Sequence, residues 1–245
     1  GNYHTLALTE AGALYAWGYN EFGQLGIGST VQQHAPVKIE GFDGDAIKQI
    51  VAGGGHTLAL TEAGALYAWG DNLSGQLGIG STVQQNSPVR VEGFDDDAIK
   101  QIVAGVRHTL ALTEAGALYA WGYNDYGQLG IGNTVDQNAP VKIEGFDGDA
   151  IKQIVTGGHH TLALTEAGAL YAWGNNQYGQ LGIGSTVNQN APVIIPKFRE
   201  LLKISSDGIT NAYRFFNPKA DSPAHPTEGG AALPLPKRAM ECTVL

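Results

Sequence analysis

His56-Thr57-Leu58-Ala59-Leu60-Thr61, followed by Tyr67-Ala68-Trp69-Gly70, decides the fold of this chain, because both motifs return at a fixed step. The opening histidines are His4, His56, His108 and His160, each 52 residues after the last. The tryptophans Trp17, Trp69, Trp121 and Trp173 keep the same step. A period of this size denotes one supersecondary unit copied several times, each copy burying its apolar faces against its neighbours.

Residues 47–98 give a complete unit. Ile47 to Val51 reads as a short strand, followed by a glycine turn at Gly53 to Gly55. From His56 to Thr61, Leu58 and Leu60 fall on one side and Ala59 on the other, the period of a strand. Glu62-Ala63-Gly64 is a tight turn, Ala65 to Trp69 a third strand, and a Gly-rich connection then runs from Gly70 to Pro88. Val89 to Val91 makes a fourth, short strand. No stretch sustains a 3.6-residue apolar pattern. Four antiparallel strands repeated radially make an all-β fold, a β-propeller of four 52-residue blades. The units lie near 1–46, 47–98, 99–150 and 151–200. Residues 201–216 read as a degenerate first half of a fifth unit, or as the first strand that the N-terminal unit lacks.

Composition narrows the function. With 43% hydrophobic residues the chain has ample material for a core, and no apolar run approaches the ~18 residues of a membrane helix. The net charge is −9 and no basic stripe offsets it, which argues against nucleic acid as a direct partner. The chain begins at Gly1, inside a repeat, and reads as a fragment. Gly1-Asn2-Tyr3-His4-Thr5 fits a myristoylation pattern, yet Gly53 to Thr57 fills the same slot internally, so it is read as repeat sequence.

In an up-and-down meander the first and third connections of each blade share a face, and the others lie opposite. The Thr-Glu-Ala-Gly turn is identical in all four copies, so its face is monotonous. Differences concentrate on the other face. The residue before the repeated histidine is Tyr3, Gly55, Arg107 or His159. The residue after Trp-Gly is Tyr19, Asp71, Tyr123 or Asn175. Three positions further on stand Phe22, Ser74, Tyr126 and Tyr178. Aromatic and charged side chains on loops held by a rigid sheet suit a protein-binding surface. The candidate residues are Tyr3, Tyr19, Phe22, Asp71, Arg107, Tyr123, Tyr126, His159 and Tyr178.

Ala-Gly-x-x-His-Thr followed by Tyr-Ala-Trp-Gly-x-Asn-x-x-Gly-Gln-Leu-Gly resembles the regulator of chromosome condensation (RCC) repeat family, over residues 1 to about 195. The resemblance implies a propeller, usually of seven blades. The founding member is a nucleotide-exchange factor for the small GTPase Ran, and relatives are scaffolds, ubiquitin-ligase modules or enzyme inhibitors. In the exchange factor, the slot before the repeated histidine faces the GTPase, which here is Tyr3, Gly55, Arg107 and His159. That factor also uses an inserted β-wedge, for which four copies at an unvarying step leave no room.

Catalysis and cofactors find no support. Gly23 to Thr30 imitates a phosphate loop, but the phosphate-binding lysine is missing and the string recurs in every unit, so its glycines are read as turn formers. The repeated histidines stand on different blades, too far apart for a zinc centre, and are read as bonding turn backbone. Asp43/Asp45 and Asp147/Asp149 offer calcium too few ligands. No metal, catalytic residue or small-molecule substrate is expected.

The tail is different. Residues 217–241 carry Pro218, Pro223, Pro226, Pro234 and Pro236 among Ala, Gly and Ser, and read as a flexible linker. The chain ends Cys242-Thr243-Val244-Leu245, its single cysteine at the lipid-acceptor position of a C-a-a-X box, and the terminal leucine selects geranylgeranyl. One lipid anchors marginally, with Lys237 and Arg238 adding ~1 kcal/mol each on anionic lipid. The rival use of the same residues is a PDZ ligand. Near-identical RCC repeats with a prenyl box resemble effectors that intracellular bacteria inject into host cells. Prenylated eukaryotic RCC-repeat proteins look similar. The expectation is a membrane-tethered module that binds a small GTPase or its regulators, Ran foremost, on the cytosolic face of a eukaryotic membrane. For an effector, that membrane is the host vacuole or an endomembrane. The alternatives are a scaffold for trafficking or cytoskeletal proteins, and an enzyme inhibitor.

Overall fold

The computed structural model describes residues 1–196 apart from 43, 95, 96 and 147, all within one compact unit, Gly1–Lys203. Residues 201–216, the linker and the Cys242 box lie outside the described residues, as do Asp43 and Asp147 of the calcium reading. The chain forms four antiparallel sheets, one per repeat. The first holds β1 (His4–Leu8), β2 (Leu14–Gly18) and β3 (Gln33–Lys38). The second holds β4 (Ile47–Ala52), β5 (His56–Thr61), β6 (Leu66–Gly70) and β7 (Gln85–Val91). The third runs β8 (Ile99–Ala104), β9 (His108–Thr113), β10 (Leu118–Gly122) and β11 (Gln137–Lys142). The fourth runs β12 (Ile151–Thr156), β13 (His160–Thr165), β14 (Leu170–Gly174) and β15 (Gln189–Ile194). Each sheet is a meander in sequence order, so in the four-stranded sheets the first and third connections share one face. The blades neighbour one another through β1 and β4, β4 and β8, and β8 and β12.

The outer strand departs from the sequence reading. The sequence places Pro88 in the connection, whereas the structure places it inside β7, which starts at Gln85. The register explains this. Ala68 pairs with Val89 and Gly70 with Gln85, so a bulge absorbs two extra residues on the edge strand. An edge strand leaves one side of its backbone unpaired and tolerates a residue that cannot donate.

The repeated histidines also do more than hold a turn. His56 lies wholly buried, and its Nε2 is 3.1 Å from Thr109 Oγ1 of the next blade. The Thr109 hydroxyl donates its one proton to the carbonyl of Gln76, 2.8 Å away. Its oxygen must therefore accept from the histidine, which fixes the neutral Nε2–H tautomer. The indole Nε1–H of Trp121 donates to the same Gln76 carbonyl at 3.0 Å. The set recurs at the preceding junction, where His4, Thr57, Gln24 and Trp69 meet at 3.0, 2.8 and 3.0 Å. It recurs again with His108, Thr161, Gln128 and Trp173, at 3.4, 3.1 and 2.9 Å. The expectation that the histidine bonds turn backbone is thus corrected: it bonds a side chain across the blade junction.

Apolar packing follows the same seam. Phe94, from the connection ahead of β8, sets its ring 5.5 Å from Tyr119 and 5.8 Å from Trp121 of the following blade. Gly78 lies beneath the Trp121 indole; its φ of +72° is left-handed, and a Cβ there would stand 2.6 Å from Nε1. Here glycine is required both by conformation and by contact. The first blade differs, since Trp17 is only partly buried while Trp69, Trp121 and Trp173 are fully buried.

Two outcomes follow from this seam. Trp121→Ala removes a fully buried indole and its hydrogen bond and is expected to destabilise the fold by about 3–5 kcal/mol in urea unfolding. Trp17→Ala should cost less than half as much. The second concerns acid. Burial above all, with the neighbouring repeated histidines adding, holds His56 and His108 down to about 3. In the unfolded chain each takes up its proton near pH 6.5, so between ~6.5 and ~3 the unfolded state binds more protons. Stability is therefore full above ~6.5 and falls as pH drops through that window, by ~1.4 kcal/mol per pH unit for each histidine. His108→Gln should flatten the fall of the urea midpoint with acid, although it lowers stability at pH 7.

Candidate protein-binding face

The long connection into the outer strand of each blade is held by a buried asparagine. Asn20 Nδ2 donates to the carbonyls of Ser29 and Val31 at 2.8 and 3.0 Å, and its Oδ1 accepts from Leu25 N at 2.9 Å. Asn72, Asn124 and Asn176 repeat this staple. Gln24 Oε1 adds a bond from Phe22 N at 3.0 Å. These residues stand in the sequence as the invariant Trp-Gly-x-Asn and Gly-Gln-Leu-Gly motifs, and their task is to fix the loops from which the variable side chains project. Gly23, Gly26 and Gly28, in the string that imitates a phosphate loop, all have positive φ and serve as turn formers.

On this frame the variable residues gather at blade junctions. Around the first junction, Tyr3, Tyr19, Phe22, Gln24, Asp71 and Arg107 line a cavity of about 450 Å³. Tyr3 is 74% exposed. Its ring meets Tyr19 edge-on at 6.1 Å, and Tyr19 meets Phe22 at 6.0 Å. The Tyr19 hydroxyl donates to Glu21 Oε2 at 2.6 Å, a bond that raises the phenol pKa. Asp71 is 4% exposed, in contrast to the projecting side chain implied by its place in the loop. Its Oδ1 accepts from Leu73 N at 3.1 Å, which folds the carboxylate against its own loop.

At the third junction Tyr123, Tyr126 and His159 form a second cluster. The His159 ring lies 5.3 Å from Tyr126 and 6.0 Å from Tyr123. Burial, and then the Arg107 charge, lower the His159 pKa. The Tyr123 hydroxyl donates to Asp125 Oδ2 at 2.7 Å; that bond, helped by burial, pushes the phenol up to about 12. Both phenols are therefore neutral at ordinary pH. Arg107 is exposed and stands between the clusters, lining the first and acting on the second. Tyr178 belongs to neither; it is 90% exposed on the connection of the fourth blade. Among the described residues no group of three or more His, Cys, Asp or Glu side chains is placed to hold a metal ion.

Comparison with known proteins agrees with this architecture. The chain is 41% identical over 207 residues to the ultraviolet-B receptor UVR8 of Arabidopsis thaliana, an alignment covering 84% of this chain and 47% of the receptor. The structure of human WBSCR16 superposes with a TM-score of 0.73 at 30% identity, covering 80% of this chain and 51% of that one. Prp20p of Saccharomyces cerevisiae gives 0.70 at 28% identity, with 80% and 49% covered. The chain thus spans about half the length of these relatives. The RCC1-like domain matches residues 1–211, and the chain belongs to that family.

Proposed function

We infer that this chain is a protein-binding module whose variable face docks a small GTPase or one of its regulators, with Ran the leading candidate. The observation that carries this is the gathering of five aromatic rings, a histidine and an exposed arginine on one rigid face, where neutral and monotonous loops would serve the fold as well. Aromatic residues and arginine are the side chains that dominate protein interfaces. Family kinship adds support, since Prp20p is described by its binding to Gsp1p and histones. A scaffold that binds without exchanging nucleotide is the second reading, favoured by the unbroken 52-residue step, which leaves no inserted wedge.

The C-terminal sequence supports a tether. Cys242 in its C-a-a-X setting, behind a proline-rich linker, fits a geranylgeranyl anchor that holds the module at the cytosolic face of a eukaryotic membrane. A host vacuole or endomembrane is the place expected if the chain is a bacterial effector.

Two experiments test these readings. Purified chain should accelerate nucleotide release from Ran, and Arg107→Ala or His159→Ala should each weaken Ran capture by about tenfold. Ala63→Ser on the opposite face should leave capture unchanged, and equal losses from both faces would refute the assignment. Capture without release leaves the scaffold. In eukaryotic cells the parent chain should fractionate with membranes and carry a geranylgeranyl mass with the last three residues removed, whereas Cys242→Ser stays soluble. An unmodified end at Leu245 would instead favour the PDZ ligand.

A further inference from the structure

Register equivalence makes two junctions directly comparable. At the third junction, the side chain before the repeated histidine is the His159 ring, set against Tyr123 and Tyr126 of the preceding blade. At the first junction the equivalent of that aromatic pair is Tyr19 and Phe22, and the equivalent of His159 is Gly55. Gly55 has no side chain to place there, and the cavity of about 450 Å³ opens at this junction. A Cβ on Gly55 would point between the two walls, 3.6 Å from Phe22 Cδ2 and 3.8 Å from Asp71 Oδ2. The molecule thus shows, at its third junction, what a filled slot looks like.

The walls also differ in charge. Behind His159 stands Asn175, whose Oδ1 accepts from Gln177 N at 3.0 Å and from Gln180 Nε2 at 2.9 Å. Behind the empty slot stands Asp71, more than nine-tenths buried as a residue, whose carboxylate takes one hydrogen bond among the described residues, from Leu73 N to Oδ1. Its Oδ2 is left facing the slot. No hydrogen bond among the described residues occupies that oxygen, and Asp71 lines the pocket, so a cation entering the slot would meet a carboxylate charge directly. Flat rings edge a cation's binding place favourably, and a guanidinium both stacks on aromatic faces and bonds a carboxylate.

We propose that the first-junction pocket takes an arginine side chain from a partner protein, its guanidinium held between the Tyr19–Phe22 wall and Asp71 Oδ2, in the place that His159 fills at the third junction. Arg107, on the far rim, is the charge that works against this. It is exposed and therefore screened by solvent and salt, whereas Asp71 sits at the slot itself. The proposal rests on reading this face as protein-binding, but its test uses no partner, so the two fail separately.

Acetyl-arginine-amide is titrated into the full chain by NMR, beside its neutral near-isostere acetyl-citrulline-amide. The arginine probe should bind about tenfold tighter than the citrulline probe. Asp71→Asn should erase that preference, and Gly55→His should abolish binding of both probes. Both replacements occur in this chain at the equivalent positions Asn175 and His159, so the fold already accommodates them. Gly55 lies outside the left-handed region, and a Cβ there meets Asp71 Cβ at 3.3 Å, a contact that asks for a small shift of that side chain. Equal affinity of the two probes, no detectable binding, or a preference that survives Asp71→Asn would overturn the proposal. So would tighter binding of acetyl-glutamate-amide, which would assign the pocket to Arg107 instead.

Discussion

One hydroxyl at each blade junction organises the structure. Thr57, Thr109 and Thr161 each give their proton to a glutamine carbonyl of the blade before and take one from that blade's histidine. A buried hydroxyl that gives its one proton and accepts another is satisfied without water. Because the tryptophan indole bonds the same carbonyl, polar and apolar contacts converge on one atom, the oxygen of Gln24, Gln76 or Gln128. Shifting one blade against another would break both together. The seam therefore fixes the angle between blades, and with it the spacing of the loops above.

This arrangement also accounts for a histidine that must stay neutral. Nε2 donates across the seam, and Nδ1 of His4, His56 and His108 is buried with no hydrogen-bond partner. As a bare lone pair, that nitrogen loses only an acceptor's hydration. Protonated, it would become a buried donor with nothing to receive it. The ring is thus held in one charge state and one tautomer by what surrounds it.

The sequence exposed the blades because their period is strict and their strands alternate, as in Leu58-Ala59-Leu60. It also exposed which face varies, since meander connectivity follows from strand number alone. It did not expose the role of the repeated histidine, because His-Thr reads as a local pair while its partner is the threonine of the next copy. Pro88 was misleading for a related reason: proline signals a loop unless the strand lies at an edge and bulges. The burial of Asp71 was likewise hidden. Its position matches exposed-looking tyrosines in two other copies, and only packing across the junction separates an aspartate folded inward from a ring lying on the surface.

The open pocket on the variable face takes its long loop from one repeat, its slot residue from the next and Arg107 from a third. Its chemistry is therefore a property of neighbouring repeats and not of one repeat. Tyr19 and Phe22 make an open pocket beside Gly55, whereas the like pair Tyr123 and Tyr126 makes a filled one beside His159. Duplicating, deleting or reordering whole repeats would leave every seam intact, since the seam residues are the same in each, yet would create pairings absent from the parent. Such a chain diversifies its recognition by permutation, with no change to a core residue.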